Sequence, residues 1–199
     1  MRQPPACLGD FRSALRSVGM TPPLDALRVA KIQAYDAAWY KAWSERALAR
    51  APADAAEWLA PVCARFQAEI RTLLAWPQVL IHGEFTVHNV LLRRGRIRPV
   101  DWESAAVAVG EIDVAAITEG WEATEQADAI RRYTRARWPE GTPHGFDRVL
   151  ELARLYWSFR WLGDPWIRTD RLTQEGRLHQ IREVAGRLET MELDGSDLG

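Results

Sequence analysis

Residues Leu80–Ser104 read LIHGEFTVHNVLLRRGRIRPVDWES, and this stretch decides the fold. QVLI at 78–81, NVLL at 89–92 and IRPV at 97–100 are short runs of aliphatic residues, and the glycine of RRGR makes a turn between the last two. The sequence between the first two runs is then a loop. Glu84 stands near its start, and Asn89, five positions later, opens the next strand. Asp101 follows Asn89 by twelve positions, after strand, turn and strand. A hairpin of that size returns Asp101 to the side of Asn89, where carboxylate and amide can share a hard cation such as Mg²⁺.

The flanks of this stretch read differently. Residues 1–23, broken by Pro4, Pro5, Gly9, Gly19, Pro22 and Pro23, form an arm or inter-lobe connection. Leu24, Leu27, Ile32, Tyr35, Trp39 and Trp43 recur near helical spacing and predict a helix to about Leu48. A second helix is expected after APAD, with Asp54 as its N-cap, Trp58, Leu59, Val62, Phe66, Ile70 and Leu73 on its inner face, and Pro77 as its stop. Beyond DWES the chain returns to helices, over about 112–120, 125–138, 146–162 and 172–191, with a polar tail at 192–199. The fold class is mainly α with a small β-hairpin, and residues 24–191 form one lobe.

With 199 residues, 47% of them hydrophobic, the chain can bury a sizeable core. A net charge of −1 gives no general pull toward nucleic acid or an acidic membrane. No apolar run reaches the roughly 18 residues of a spanning helix. Cys7 and Cys63 fall in no metal or redox spacing, and no signal-peptide pattern opens the chain, so a cytoplasmic location is the expectation. Lys31 and Lys41 are the only lysines.

Transfer of a phosphoryl group needs little covalent help from a protein. It needs metal ions on the phosphates and a carboxylate to orient the acceptor hydroxyl. Glu84, Asn89 and Asp101 supply that set, and the Glu84-to-Asn89 interval equals the interval between base and metal-binding amide in the protein-kinase catalytic loop. Singly, each has an ordinary reading as well: Glu84 as a solvated loop acid, His82 as a hydrogen-bonded core histidine. A His82/His88 metal pair lacks a third ligand, and His88 is better read as a surface residue.

HGEFTVHNVL followed by PVDWES resembles the signatures of the aminoglycoside phosphotransferase and choline kinase-like group, which shares the protein-kinase fold. GEIDVAAIT, in which Asp113 opens a helix, is similar to the segment that follows the metal-binding aspartate in that group. The resemblance implies a helical C-lobe with a catalytic loop at 82–89 and a metal-binding segment at 101–103. It implies ATP and Mg²⁺ as cofactors, with Asn89 and Asp101 holding the metal. Glu84 would orient the acceptor hydroxyl as the catalytic carboxylate, and His82 would brace the loop.

The chain departs from that pattern in two places. Glu84 stands where the resembling families usually have aspartate, and its extra methylene shifts the carboxylate by more than an ångström unless the backbone compensates. The glycine-rich loop and phosphate-binding lysine of an N-lobe are not found either. VAK at 29–31 lies in a helical pattern and too close to Glu84. An N-lobe is therefore expected to be absent, through truncation, splitting or degeneration.

For the acceptor, Trp121, Trp138, Trp157, Trp161 and Trp166 with Glu119, Glu122, Glu125, Asp128 and Asp164 offer aromatic faces and carboxylates suited to a cationic amine. Glu103, Trp121, Trp157 and Trp161 are the candidate acceptor residues. The same tryptophans at i and i+4 also fit a helix core. The expected function is phosphoryl transfer to a hydroxyl of a small molecule, with a non-catalytic kinase-fold binding module as the alternative. The expected partners are the small molecule and either a separate N-lobe or a second copy.

Overall fold

The computed structural model describes residues 32–94, 96–165 and 171–196. Among these are six α-helices and five short strands, so the chain is mainly α with a small β component. They fall into two units that interleave along the sequence. One takes residues up to Ala34 together with Gln78–His144, and the other takes Tyr35–Pro77 with the residues from Gly145 onward. The arm at 1–23, Lys31 and Trp166 lie outside the described residues.

The first unit is built on a three-stranded sheet in the order β1-β5-β2, comprising β1 (Gln33–Ala34), β2 (Gln78–Ile81) and β5 (Ala106–Val109). β1 runs parallel to β5, and β2 runs antiparallel to it with Ile81 opposite Ala106. Val79 and Ile81 are buried on β2, as are Ala106, Ala108 and Val109 on β5. A separate hairpin joins β3 (Val90–Arg93) to β4 (Arg96–Pro99), with Val90 opposite Pro99. Helices α3 (Glu111–Ile117) and α4 (Ala123–Arg137) complete the unit.

Glycine at 110 makes room for a buried polar pair. A Cβ there would stand 2.6 Å from the Tyr133 hydroxyl oxygen. That hydroxyl donates to Glu111 Oε1 at 3.1 Å, and both residues are enclosed. Burial, reinforced by the Glu111 charge, drives the Tyr133 phenol well above its ordinary range, so it stays a donor.

The second unit is a helical bundle of α1 (Ala37–Arg50), α2 (Ala53–Ala75), α5 (Phe146–Gly163) and α6 (Arg171–Ser196). α1 starts where the Asp36 carboxylate accepts the Trp39 backbone N–H at 2.8 Å. Here α1 and α5 approach closely, since a Cβ at Gly163 would lie 3.0 Å from the Ala47 nitrogen. Tyr40, Phe66, Tyr156 and Phe159 fill the interior, with Tyr40 and Phe159 edge-on to Phe66. Cys63 is buried against the Ser44 carbonyl, and burial pushes its thiol up to about 12.

The expected elements change at four points. The helix read from Leu24 does not include residues 32–36, because the β1 backbone pairs with β5 and Asp36 fixes the helix start one residue later. Asp54 is not the N-cap of α2. Pro52 holds that position, and Asp54 lies in the first turn, where its charge suits the helix dipole. β5 occupies 106–109, between DWES and the helix expected from 112, where no element had been expected. The tail expected from 192 continues α6 as far as Ser196.

Glu69 and Arg148 link α2 to α5 through a forked pair, with Nε donating to Oε2 at 3.2 Å and Nη2 to Oε1 at 2.8 Å. The Arg148 hydrogen bond holds the Glu69 carboxyl below its ordinary range. A carboxyl lowered in the folded state stabilises the fold above its unfolded value, and the contribution disappears as pH falls through the folded value. Wild type should therefore exceed Glu69→Gln by about 1 kcal/mol at pH 7 in urea unfolding. The gap should close as the pH is lowered below 4, and a gap that persisted at pH 2 would contradict this assignment.

Candidate functional site

The candidate site occupies the loop between β2 and β3 and the turn after β4, all within the first unit. His82 is buried and Glu84 and Asn89 are half-buried, while Asp101 is exposed. The hairpin does what its length demands. The Val100 N–H donates to the Asn89 carbonyl at 2.9 Å, one ladder step beyond the Val90–Pro99 pair. Asp101 is therefore delivered next to Asn89. It adopts a left-handed backbone (φ 66°, ψ 62°), which ends the strand and opens the 3₁₀ turn Trp102–Ser104.

Each polar atom of the loop has a local reason for its position. The Asn89 side-chain amide donates to the Glu84 carbonyl at 3.0 Å, closing the loop across its mouth. Because the nitrogen is committed there, the carbonyl Oδ1 is the end left for an outside cation. The Ser104 hydroxyl donates to Glu84 Oε1 at 2.9 Å. His82 Nε2 lies 2.8 Å from the Val100 carbonyl, which can only accept, so the ring takes the Nε2–H tautomer. Nδ1 then faces the Glu84 backbone N–H at 3.4 Å. Both ring nitrogens of His82 thus serve the loop backbone and the segment entering Asp101. Trp102 lies over this ring with centroids 4.7 Å apart.

One residue central to this geometry had no assigned role in the sequence reading. The buried Asp113 carboxylate, on α3, accepts the His82 N–H at 2.7 Å with Oδ2 and the Gly83 N–H at 3.0 Å with Oδ1. Its signal was a second acid, after Glu111, in the first turn of a short helix whose other residues are all apolar and buried. Such a charge is retained only where it has strong partners.

The remaining candidates are dispersed. Glu103 is exposed on the 3₁₀ turn after Asp101, and Trp121 is half-buried in the connection between α3 and α4. Trp157 and Trp161 belong to α5 in the other unit, edge-on to each other at 5.5 Å. Trp157 is only 2% exposed, so its ring is a core element with no face for a ligand. Trp161 is half-buried with the Arg177 guanidinium 5.1 Å from its ring. Asp128 pairs with Arg131 and Arg132 on its own helix. His88 is exposed, and both ring nitrogens of His82 face loop backbone groups, which speaks against a His82/His88 metal pair. No described helix is long and apolar enough to cross a membrane.

The chain resembles known proteins in sequence and in fold. The model of the phosphotransferase enzyme family matches residues 3–146. Among curated proteins, the chain is 28% identical over 95 residues to an N-acetylmuramate/N-acetylglucosamine kinase of Neisseria meningitidis serogroup B, covering 46% of this chain and 27% of that one. An ADP-bound aminoglycoside phosphotransferase shares the fold with a TM-score of 0.56 and 12% identity, over 90% of this chain and 63% of that one. A choline/ethanolamine kinase family protein from Mesorhizobium loti does so with a TM-score of 0.54 and 17% identity, over 90% and 62%. The chain spans less than two thirds of the length of each of these proteins. The family match covers well over half of the sequence and includes every residue of the loop, the hairpin and the aspartate brace: this chain belongs to the phosphotransferase enzyme family.

Proposed function

We propose that the chain transfers the γ-phosphoryl group of ATP to a hydroxyl of a small molecule. The observation that supports this reading is the hairpin register, in which the Val100–Asn89 hydrogen bond brings the residue before Asp101 against Asn89 while the Asn89 amide holds the Glu84 carbonyl. Glu84 accepts the acceptor hydroxyl's proton as its oxygen bonds to phosphorus, and the bond to the bridging oxygen breaks, leaving ADP with the electron pair. Asn89 Oδ1 and Asp101 are hard oxygen donors, and Asp101 is exposed, which fits Mg²⁺. That ion takes one or two protein carboxylates and completes its shell with phosphate and water. When bound, it neutralises charge on the phosphates. His82 and Asp113 hold the loop without touching the reactants.

The acceptor is a hydroxylated metabolite. The amino sugars named for the Neisseria relative are the first to try, followed by aminoglycosides and choline. Exposed Glu103 and half-buried Trp121, both in the first unit, are the candidates for its recognition.

The test is calorimetric titration with a nonhydrolysable ATP analogue, with and without Mg²⁺, combined with a phosphorylation assay on those acceptors. The expected result is Mg²⁺-dependent binding, and transfer that falls at least about 100-fold in Asp101→Ala. Binding indifferent to both Mg²⁺ and Asp101→Ala, with no acceptor phosphorylated, overturns the reading in favour of a binding module without turnover.

A further inference from the structure

We infer that Ser104 is the positioning residue that lets a glutamate serve as the orienting carboxylate of this loop, an inference that rests on the phosphotransfer reading above. Glutamate has one more rotatable bond than aspartate, and a carboxylate that swings by an ångström costs about 100-fold in rate. An unanchored Glu84 would sample several positions of its head group. The Ser104 hydroxyl, donating to Oε1 at 2.9 Å, removes that freedom. Fixing one oxygen of a planar group also fixes the direction of the other.

Ser104 is well placed for this task because it ends the 3₁₀ turn that begins after Asp101. The proposed base and the proposed metal carboxylate are thus tied to a single three-residue turn, which sets the spacing between them. The reach of the hydroxyl depends on a close backbone approach. The Ser104 carbonyl oxygen would lie 2.1 Å from any Cβ at position 83, so only glycine there lets the turn seat against the loop. At the other end, the Asn89 amide holds the Glu84 carbonyl at 3.0 Å. The residue is consequently fixed at its backbone from the metal amide and at its head group from the metal turn. Shortening the side chain to aspartate would withdraw the carboxylate from Ser104 by about 1.5 Å, one carbon–carbon bond.

The test uses the full chain with MgATP and N-acetylglucosamine, and reads kcat and KM separately. Ser104→Ala should lower kcat by about 10- to 100-fold with KM for MgATP unchanged within about twofold, and Ser104→Thr, which keeps the hydroxyl, should recover most of the loss. In a Glu84→Asp background the tether is already broken, so Ser104→Ala should cost nothing more. The ¹³Cδ resonance of labelled Glu84 supplies a readout independent of turnover: it should move in Ser104→Ala and stay in place in Ser104→Thr. An unmoved resonance, or an equal loss of kcat in both backgrounds, overturns the inference. Glu84→Ala with wild-type transfer would instead sink the phosphotransfer reading, while the resonance still decides whether Ser104 holds the side chain.

Discussion

Gly83→Ala should unfold the candidate site and lower the melting temperature by about 10 °C. Two penalties act at this position. Gly83 has φ +81°, a left-handed conformation that costs a side-chain-bearing residue about 1–2 kcal/mol. A Cβ would also stand 2.1 Å from the Ser104 carbonyl oxygen and 3.0 Å from its carbon, and these backbone atoms cannot rotate away as a side chain could. Moving the turn to relieve the clash adds about 1–3 kcal/mol and drags the Ser104 hydroxyl off Glu84. A total of about 3 kcal/mol corresponds to the stated shift in a chain of this size. Gly120→Ala is the control, because Gly120 has φ +71° but nothing within 4 Å of its missing Cβ. It should show the conformational penalty alone. Equal melting temperatures for the two variants would remove the steric argument.

Asp113→Ala should destabilise the protein by about 3 kcal/mol or more. The carboxylate is 1% exposed and accepts two backbone N–H groups, from His82 and Gly83. Hydrogen bonds to a charged group contribute about 1.5–3 kcal/mol each, and truncation leaves both donors buried without this acceptor. Asp113→Asn should recover only part of the loss, because its amide nitrogen places a donor against a donor. Hydrogen exchange locates the effect. The His82 and Gly83 amides should lose protection before the strand amides of β2 do, and a uniform loss across the unit would point to general unfolding rather than a loop held by Asp113.

The loop and hairpin of the candidate site were more legible in the sequence than the sheet. Loop and hairpin were legible because a glycine turn and two aliphatic runs fix the return of the chain, and Asp101 could then be placed against Asn89 by counting. The helices 146–163 and 53–75 followed from apolar spacing, with Pro77 as a stop. β5 was invisible for a physical reason: AVAV at 106–109 is buried at three of its four positions, so it lacks polar alternation, and its alanines favour helix. β1 escaped notice because two residues carry no period, and the aromatic spacing of α1 runs back across them. Asp113 was noticed as a helix opener, but its role was not, since its partners are backbone N–H groups 30 and 31 positions away that no side-chain pattern announces. Trp157 and Trp161 share one helix and one spacing. Burial, which spacing alone does not report, separates the core ring from the half-buried one.

The interleaving of the two units sets a timetable for the nascent chain. Helix α1 packs on α2 and on α5, but Arg50 and Phe146 are 96 positions apart. At a ribosomal rate of about 5–20 residues per second, α1 waits roughly 5–20 s for α5. During that interval the side of α1 destined for Gly163 stays open, and the loop carrying Glu84 is made before Asp113 arrives to hold it. Slow codons between 120 and 145 would lengthen this wait, and a holdase chaperone that shields Trp43 and Ala47 would be of most use there.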